Sequence, residues 1–334
     1  MKSSIRTLGA LSAAASLLFI SACGSSDSGD DKTGASGSSS TITITDNSGE
    51  VEVPNPPKQY AVTDNLSMRT LMDWDLKPVA AARSLMPKDW EWTDDKSIKD
   101  TGLHVEPDLE QLVAAQPDLV INGYRYGQYQ DKIAKLLPDT PVVTFDRKDD
   151  ESHIDNLVRH TEQLGKIFEK EDEAKAKIKE FEDAQAKAKE AYDGKATTMG
   201  ITTSGGDINF SDPAEGRGAS PLFEALDLKP ALEVKGGDST DKGNDISVEA
   251  IAKANPDWMI VLDRDAPLAA KGGEAAEDYT PAKDLLTKSD ALKNTTAVKN
   301  DQIIYLPADL YLDEGIEMYT DIFNQAEEAF SAAK

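Results

Sequence analysis

The stretch that decides the fold is Pro117–Arg125, "PDLVINGYR". A Pro-Asp turn leads into Leu119-Val120-Ile121, a short apolar run of the kind that forms a strand buried on both faces. The run then breaks toward an arginine. Pro256–Arg264, "PDWMIVLDR", repeats the proline, aspartate and arginine at the same spacing, an offset of 139 residues (256 − 117). The match extends upstream without a gap: Glu110 falls on Glu249, Leu112 on Ile251, Ala115 on Ala254, and further on Ile121 on Ile260. Each copy reads as a helix, a Pro-Asp turn, a buried strand and an arginine. Alternating helices and strands predict a parallel sheet, and the duplication predicts two lobes of similar topology. Ligands of open parallel sheets bind outside the carboxyl ends of the strands. Arg125 and Arg264 are therefore expected on facing walls of a cleft. The competing reading pairs them with local carboxylates such as Asp263 or Asp265.

Working outward, Thr41–Thr45 and Val51–Val53 flank "DNSGE" and read as a hairpin. Tyr60–Thr63, Val79–Ala82 and Thr140–Phe145 supply further strands, and Leu66, Thr70, Leu71 and Trp74 have helical spacing, with Asp64 or Asn65 as the cap. From His153 to Tyr192 the pattern is helical. An amphipathic part with Leu157, Leu164, Ile167 and Phe168 runs into the Ala/Glu/Lys-rich "EKEDEAKAKIKEFEDAQAKAKEAY", with Gly194 as the stop. Its heptads are too thin for a coiled coil. A stiff helix between two lobes fits, since ~22 residues span about 33 Å. The alternation then restarts with Thr197–Thr203 and Ile208–Phe210 about "SGGD", a helix at Leu222–Leu226, a strand at Gln302–Leu306 and a closing helix at Glu314–Ala332. The fold class expected is α/β: two similar lobes with parallel-rich sheets, joined by one long α-helix, with a ligand cleft between them. The boundaries are 41–168, 169–194 and 195–334.

Charge narrows the function. The 334 residues carry 36 Lys+Arg against 61 Asp+Glu, a net −25, which argues against a nucleic-acid partner and makes any cleft arginine conspicuous. A third such arginine is Arg217 in "SDPAEGRGASPLFEAL", a Gly/Pro-rich loop before a helix beginning near Ser220-Pro221. A helix N-terminus favours anions, and flanking glycines let a ligand approach the backbone. At the amino end, Lys2 and Arg6, the apolar Leu8–Ile20 and "ISAC" resemble a bacterial lipoprotein signal. Residues 1–22 read as signal peptide, Cys23 as the lipidated residue, and 23–40 as a Gly/Ser/Asp-rich tether. Cys23 is the single cysteine, so the core holds the fold without disulfides. The histidines are His104, His153 and His160; the last two share a helix face without an evident third ligand, which weighs against a directly bound zinc or manganese. The sequence shows no nucleophile elbow, phosphate-cradling glycine loop or metal motif, which weighs against an enzyme.

Lipobox, tether, lobe, long helix and second lobe together resemble the iron–siderophore substrate-binding lipoproteins of ABC importers. These are class III periplasmic-binding-protein-like chains, and the nearest likeness is to the catecholate-siderophore branch. The resemblance covers residues 41–334. It rests on "EPDLEQLVAAQPDLVINGYR", "LGKIFEKEDEA" at Leu164–Ala174, "GRG" at Gly216–Gly218, "NPDWMIVLDR", and "YLPADLYLDEG" at Tyr305–Gly315. It implies that Arg125, Arg217 and Arg264 grip an anionic iron complex. A ferric tris-catecholate carries three negative charges, and guanidinium groups stay protonated and donate to several oxygens in one plane. The branch also ligates iron through a tyrosine and a histidine. Tyr311 occupies the tyrosine's place in a slightly shorter loop. The histidine is missing from Gly236–Ser247, where Lys242 or a neighbour stands, and a hexadentate siderophore would need neither ligand. Tyr124, Tyr126 and Tyr129 cluster beside Arg125 and could stack on aromatic rings of the ligand.

The resemblance further implies a monomer, lipid-anchored on the outer face of the cytoplasmic membrane. It would have no permanent cofactor and no catalysis, a small hinge motion, and ABC permease subunits as partners. Asp73, Glu224 and Asp227 are candidate acids for permease docking. Haem or cobalamin binding within the same importer class stands beside this reading, as do, in other classes, an enzyme or a non-transport surface lipoprotein.

Overall fold

In the computed structural model, which describes residues 40–234, 246–272, 277 and 279–333, the two quoted segments hold the same place in two separate sheets. The first sheet runs Lys99–Asp100, Ala80–Ala81, Tyr60–Val62, Leu119–Asn122, Val142–Thr144, every adjacent pair parallel. The second runs Asp207–Ser211, Thr197–Ser204, Trp258–Asp263, Ile303–Tyr305, with the short Lys229–Pro230 beside the start of Thr197–Ser204. It is parallel except for the Asp207–Ser211 edge, which forms an antiparallel hairpin. The α/β class with two lobes of parallel-rich sheet is thus the observed fold.

The repeated Pro-Asp has a structural cause. Asp118 accepts from the backbone N–H groups of Lys58 (2.8 Å) and Gln59 (3.1 Å), and its own N–H donates to the Gln59 carbonyl (2.8 Å). Asp257 does the same for the second sheet: its carboxylate accepts from the Thr197 N–H (2.8 Å) and hydroxyl (2.9 Å), and its N–H donates to the Thr197 carbonyl (2.9 Å). In each lobe the aspartate satisfies backbone donors where the neighbouring strand begins, which holds two strands level at their amino ends. Leu119–Asn122 and Trp258–Asp263 are buried on both faces, as sheets covered by helices on each side require.

Each sheet separates two apolar layers. In the first lobe Tyr60, Val62, Leu71, Ile121, Phe145 and Leu164 pack together, and Ala61, Leu112, Val120 and Ile133 fill the other side. In the second, Met199, Ile201, Met259 and Val261 form one layer, and Ile260, Leu262, Leu222 and Phe323 belong to the other. The expected amino-terminal hairpin is present as Thr41–Asp46 against Gly49–Pro54, with Ile44 and Val53 in the first-lobe core.

The helical region departs from the sequence reading in two ways. It is broken in two, His153–Phe168 and Glu171–Ala191, at Glu169, which adopts the left-handed conformation with φ 55°. The crossing is tight: a Cβ on Gly165 would come within 2.7 Å of the Ala174 Cβ. The 21 residues of Glu171–Ala191 extend about 32 Å. They bury a stripe of Ala174, Ile178, Phe181, Ala184, Ala188 and Ala191 at helical spacing. Ala174 joins the first-lobe core, and Ile178 through Ala191 join the cluster that covers the second sheet. One narrow stripe therefore ties both lobes.

The second departure is that this helix does not act alone. The closing helix Ile316–Ala332 lies along it, with the Phe181 and Phe323 rings 5.5 Å apart. It also reaches the first lobe, where Thr70 donates to Glu317 (2.7 Å) and Arg69 pairs with Asp321 (2.9 Å). The helix Met68–Asp73 is preceded by Ser67 as its cap residue, not by Asp64 or Asn65. Asp64 instead organises the turn before it, accepting from the Leu66 N–H (3.1 Å) and the Ser67 hydroxyl (2.7 Å). No helix among the described residues is long and apolar enough to cross a membrane.

Candidate functional site

Past Asn122 the first-lobe chain turns sharply through Gly123 (φ 152°) and Tyr124 (φ 47°) into the short 3-10 helix Tyr124–Tyr129. Only glycine fits at 123, because a Cβ there would sit 2.6 Å from Asp146 Oδ1. The turn sends the Arg125 side chain inward, where it is 5% exposed. Its Nη2 donates to the Tyr311 carbonyl, and its Cζ lies 4.5 Å from the centre of the Tyr311 ring. On the other wall, Arg264 follows directly on Trp258–Asp263. Its Nη2 donates to the Tyr311 hydroxyl (3.3 Å), its Nη1 to Ser204 Oγ (3.3 Å) and Asp265 Oδ1 (3.1 Å), and its Cζ is 5.0 Å from the same ring. Arg217 completes the group at 5.1 Å from the Tyr311 ring and 5.5 Å from that of Tyr124. Three guanidinium groups from distant parts of the chain thus surround one tyrosine, whose ring face attracts cations. Tyr311 is buried at the end of the 3-10 helix Ala308–Tyr311, just after Ile303–Tyr305.

The cluster contains a residue that the sequence reading passed over. Glu314 accepts from Arg217 through both Nε (2.9 Å, to Oε1) and Nη2 (3.2 Å, to Oε2), and from the Tyr124 hydroxyl (2.8 Å). Its Oε2 lies 3.9 Å from Arg125 Nη2, and its side chain is 6% exposed. Burial of the hydroxyl and the adjacent Glu314 charge hold the Tyr124 phenol above its ordinary range, so it remains a donor. The signal was in plain view as "LYLDEG", with two acids one residue beyond the tyrosine, but in a chain of net −25 one more glutamate does not stand out.

The structure brings Arg125, Arg217, Arg264, Tyr311 and Tyr124 together. It does not bring in Tyr126. That ring is fully buried in the first lobe, edge-on to Tyr129 at 5.9 Å, with its hydroxyl on the Gly102 carbonyl (2.8 Å) beside that of Thr101 (3.0 Å). Burial raises its phenol to about 12. The expected stacking role for Tyr126 is corrected to core packing. Tyr129 likewise spends its hydroxyl on the His104 carbonyl (2.8 Å). The helix after Arg217 is the seven-residue Ser220–Leu226, with Ala219 and Ser220 buried. Arg217 therefore reaches the cluster through its side chain rather than through a helix end. The local-pair reading holds in part, because Arg264 does bond Asp265, whereas the carboxylate near Arg125 is the distant Glu314.

Elsewhere between the lobes a pocket of roughly 430 Å³ has Arg83, Lys88 and Leu103 on one side and Leu268 and Lys271 on the other. Lys271 bridges it by donating to the Ser84 carbonyl (2.7 Å), and burial lowers its pKa. The three surface acids are paired: Asp73 with Lys177 (2.6 Å), Glu224 with His153 (3.1 Å) and Asp227 with Lys189 (2.6 Å). His160 is buried against Asp64 (3.1 Å) and so cannot share a surface site with His153. Among the described residues, no group of three or more His, Cys, Asp or Glu is placed to hold a metal ion. Cys23, the tether up to residue 39 and Lys242 lie outside the described residues.

With the site in view, the chain can be set beside known proteins. Residues 61–310 match the periplasmic binding protein family. The ferric-anguibactin-binding protein FatB of Vibrio anguillarum is 27% identical over 235 residues, covering 69% of this chain and 71% of that protein. The petrobactin-binding protein YclQ of Bacillus subtilis is 27% identical over 218 residues, covering 64% and 66%. The YclQ crystal structure superposes with a TM-score of 0.74 at 24% identity over 87% of this chain and 99% of that one. The periplasmic catecholate-siderophore-binding protein VctP of Vibrio cholerae gives 0.72 at 24% over 88% and 100%. At these identities the structural likeness is one of fold.

Proposed function

The chain belongs to the periplasmic binding protein family, and from that premise we propose that it captures a ferric siderophore of the catecholate class and hands it to an ABC importer. The observation that carries this reading is the convergence of Arg125, Arg217 and Arg264 on Tyr311, at 4.5, 5.1 and 5.0 Å from its ring. Three permanently charged, planar donors set around an aromatic platform suit an anionic complex that is itself rich in aromatic rings and oxygens. The names of the relatives, which bind ferric anguibactin and petrobactin, support the same ligand class.

In this reading Arg125 and Tyr124 form one wall of the site, and Arg217, Arg264 and Tyr311 the other. Iron is cargo held by the siderophore. Tyr311 spaces the guanidinium groups, its hydroxyl engaged by Arg264. The protein works as two lobes, 41–168 and 195–334, about the connecting region 169–194, as a monomer with no catalytic step. Removal of residues 1–22 and lipidation of Cys23 in "ISAC" would anchor it outside the cytoplasmic membrane on the tether 23–40, beside the permease subunits. Asp73, Glu224 and Asp227 are the acids offered for that docking.

The test is calorimetric titration with ferric bis- and tris-catecholates, a ferric trihydroxamate and haem. Calorimetry is preferable to tryptophan quenching, because Trp258 is buried against Phe330 at the amino end of its strand, about 20 Å of strand away from Arg264. At least one ferric catecholate should bind far more tightly than the trihydroxamate complex or haem. Arg125→Ala, Arg217→Ala and Arg264→Ala should each cost about 1–3 kcal/mol of affinity. Millimolar binding of both catecholates, or wild-type affinity in all three variants, would sink the proposal.

A further inference from the structure

Three guanidinium groups alone would suit a trianion. The cluster here is already partly neutralised from within. Glu314 holds Arg217 through two hydrogen bonds and receives the Tyr124 hydroxyl, at 2.9, 3.2 and 2.8 Å. It also stands 3.9 Å from Arg125. Asp265 bonds Arg264 at 3.1 Å. Three cationic and two anionic side chains leave one positive charge among these five groups. The two carboxylates differ in kind. Asp265 lies beside Arg264 in sequence and its side chain is 27% exposed, so water screens it. Glu314 is 6% exposed and is contacted from both lobes, so its charge acts on whatever enters with little screening. A ligand oxygen seeking Arg217 must share that guanidinium with Glu314 or displace it.

We propose that Glu314 is the specificity-determining residue for ligand charge: it is an internal counter-anion that sets the cleft to take ferric catecholate complexes of charge near −1 in preference to trianionic tris-catecholates. This rests on the ferric-siderophore reading above and deepens it. Bringing a trianion against a buried carboxylate places like charges together in a poorly screened site, and a buried charge left without a partner is expensive. A ferric bis-catecholate, with four phenolate oxygens on Fe(III), carries a single negative charge and so meets less repulsion from Glu314 than a trianion does. Glu314 also pre-orients Arg217 and Tyr124 across the cleft, so the site is held in shape before the ligand arrives.

The experiment compares two probes on the purified mature chain. One is a ferric bis-catecholate made with a tetradentate ligand, the other a ferric tris-catecholate made with a hexadentate ligand. Wild-type protein should bind the monoanionic complex at least about tenfold more tightly. Glu314→Gln, which keeps the shape and removes the charge, should raise affinity for the trianion about tenfold or more while changing the monoanion less than about threefold. Glu314→Asp, which keeps the charge, should restore most of the wild-type ratio. A purely structural glutamate would shift both probes together, so the ratio is the deciding readout. If Glu314→Gln leaves the ratio unchanged, or lowers affinity for the trianion, the inference is overturned while the binding function stands. If neither complex binds wild type or variant, the ferric-siderophore reading itself has failed.

Discussion

Asp313 precedes the counter-anion in sequence, and its environment makes a quantitative prediction. Its side chain is 1% exposed, 3.5 Å from Arg69 Nη1, with the Gly315 N–H on Oδ1 at 3.2 Å. Burial, reinforced by the charge of Glu317, raises its pKa from 3.8 to about 7, against the opposing pull of Arg69. Between about pH 4 and 7 the folded protein therefore keeps a proton that the unfolded chain has lost. Stability attributable to Asp313 falls as pH rises through that window, and the loss is complete above it. A shift of about three units at ~1.4 kcal/mol per unit is on the order of 4 kcal/mol. Asp313→Asn, which leaves Arg69 its bond to Asp321 at 2.9 Å, should match wild type near pH 4 and exceed it by a few kcal/mol at pH 8. Urea unfolding of both proteins at unit steps from pH 4 to 8 measures this, and the difference between them cancels the titration of the other carboxylates. A difference that is flat with pH, or a variant less stable at pH 8, would show that Asp313 is ionised and held by Arg69, and would refute the argument.

Three further outcomes follow from the packing. Tyr126→Phe should cost about 1–2 kcal/mol in urea unfolding, because it orphans the Gly102 carbonyl it now satisfies at 2.8 Å, yet leave ligand affinity unchanged by calorimetry; a large loss of binding would return Tyr126 to the site. Phe181→Ala, at a fully buried ring against Phe323, should destabilise by about 3–5 kcal/mol, and a cost under 1 kcal/mol would deny the connecting helix its part in the core. Gly123→Ala, whose Cβ would meet Asp146 at 2.6 Å, should displace Arg125 and weaken binding of the ferric complex with little loss of secondary structure by circular dichroism.

Much of the architecture is local in origin and so was readable. Leu119–Asn122 and Trp258–Asp263 are strands because short apolar runs bounded by turns have few other ways to bury themselves. Their echo recurs because Asp118 and Asp257 each hold down a neighbouring strand. The helix break at Glu169 was less readable, because Ala, Glu and Lys favour helix on both sides of it, and the close crossing of Gly165 and Ala174 belongs to the packing. The tyrosines divide in the same way. Tyr124 and Tyr126 are two positions apart with the same chemistry, and the turn at Gly123 and the 3-10 geometry after it send one to Glu314 and the other into the core.

By itself the sequence determined the two-lobed α/β framework, the acidic surface against which three arginines stand out, and where those arginines lie along the chain. Each of these follows from composition, periodicity or spacing within a few residues. Only the tertiary structure decided that Arg125, Arg217 and Arg264 share the Tyr311 ring and that Glu314 sits among them. The guanidinium groups meet Tyr311 across 47 to 186 positions of chain, a separation at which no periodicity operates. A carboxylate among guanidinium groups is held there by charge and burial, neither of which leaves a pattern in the order of residues.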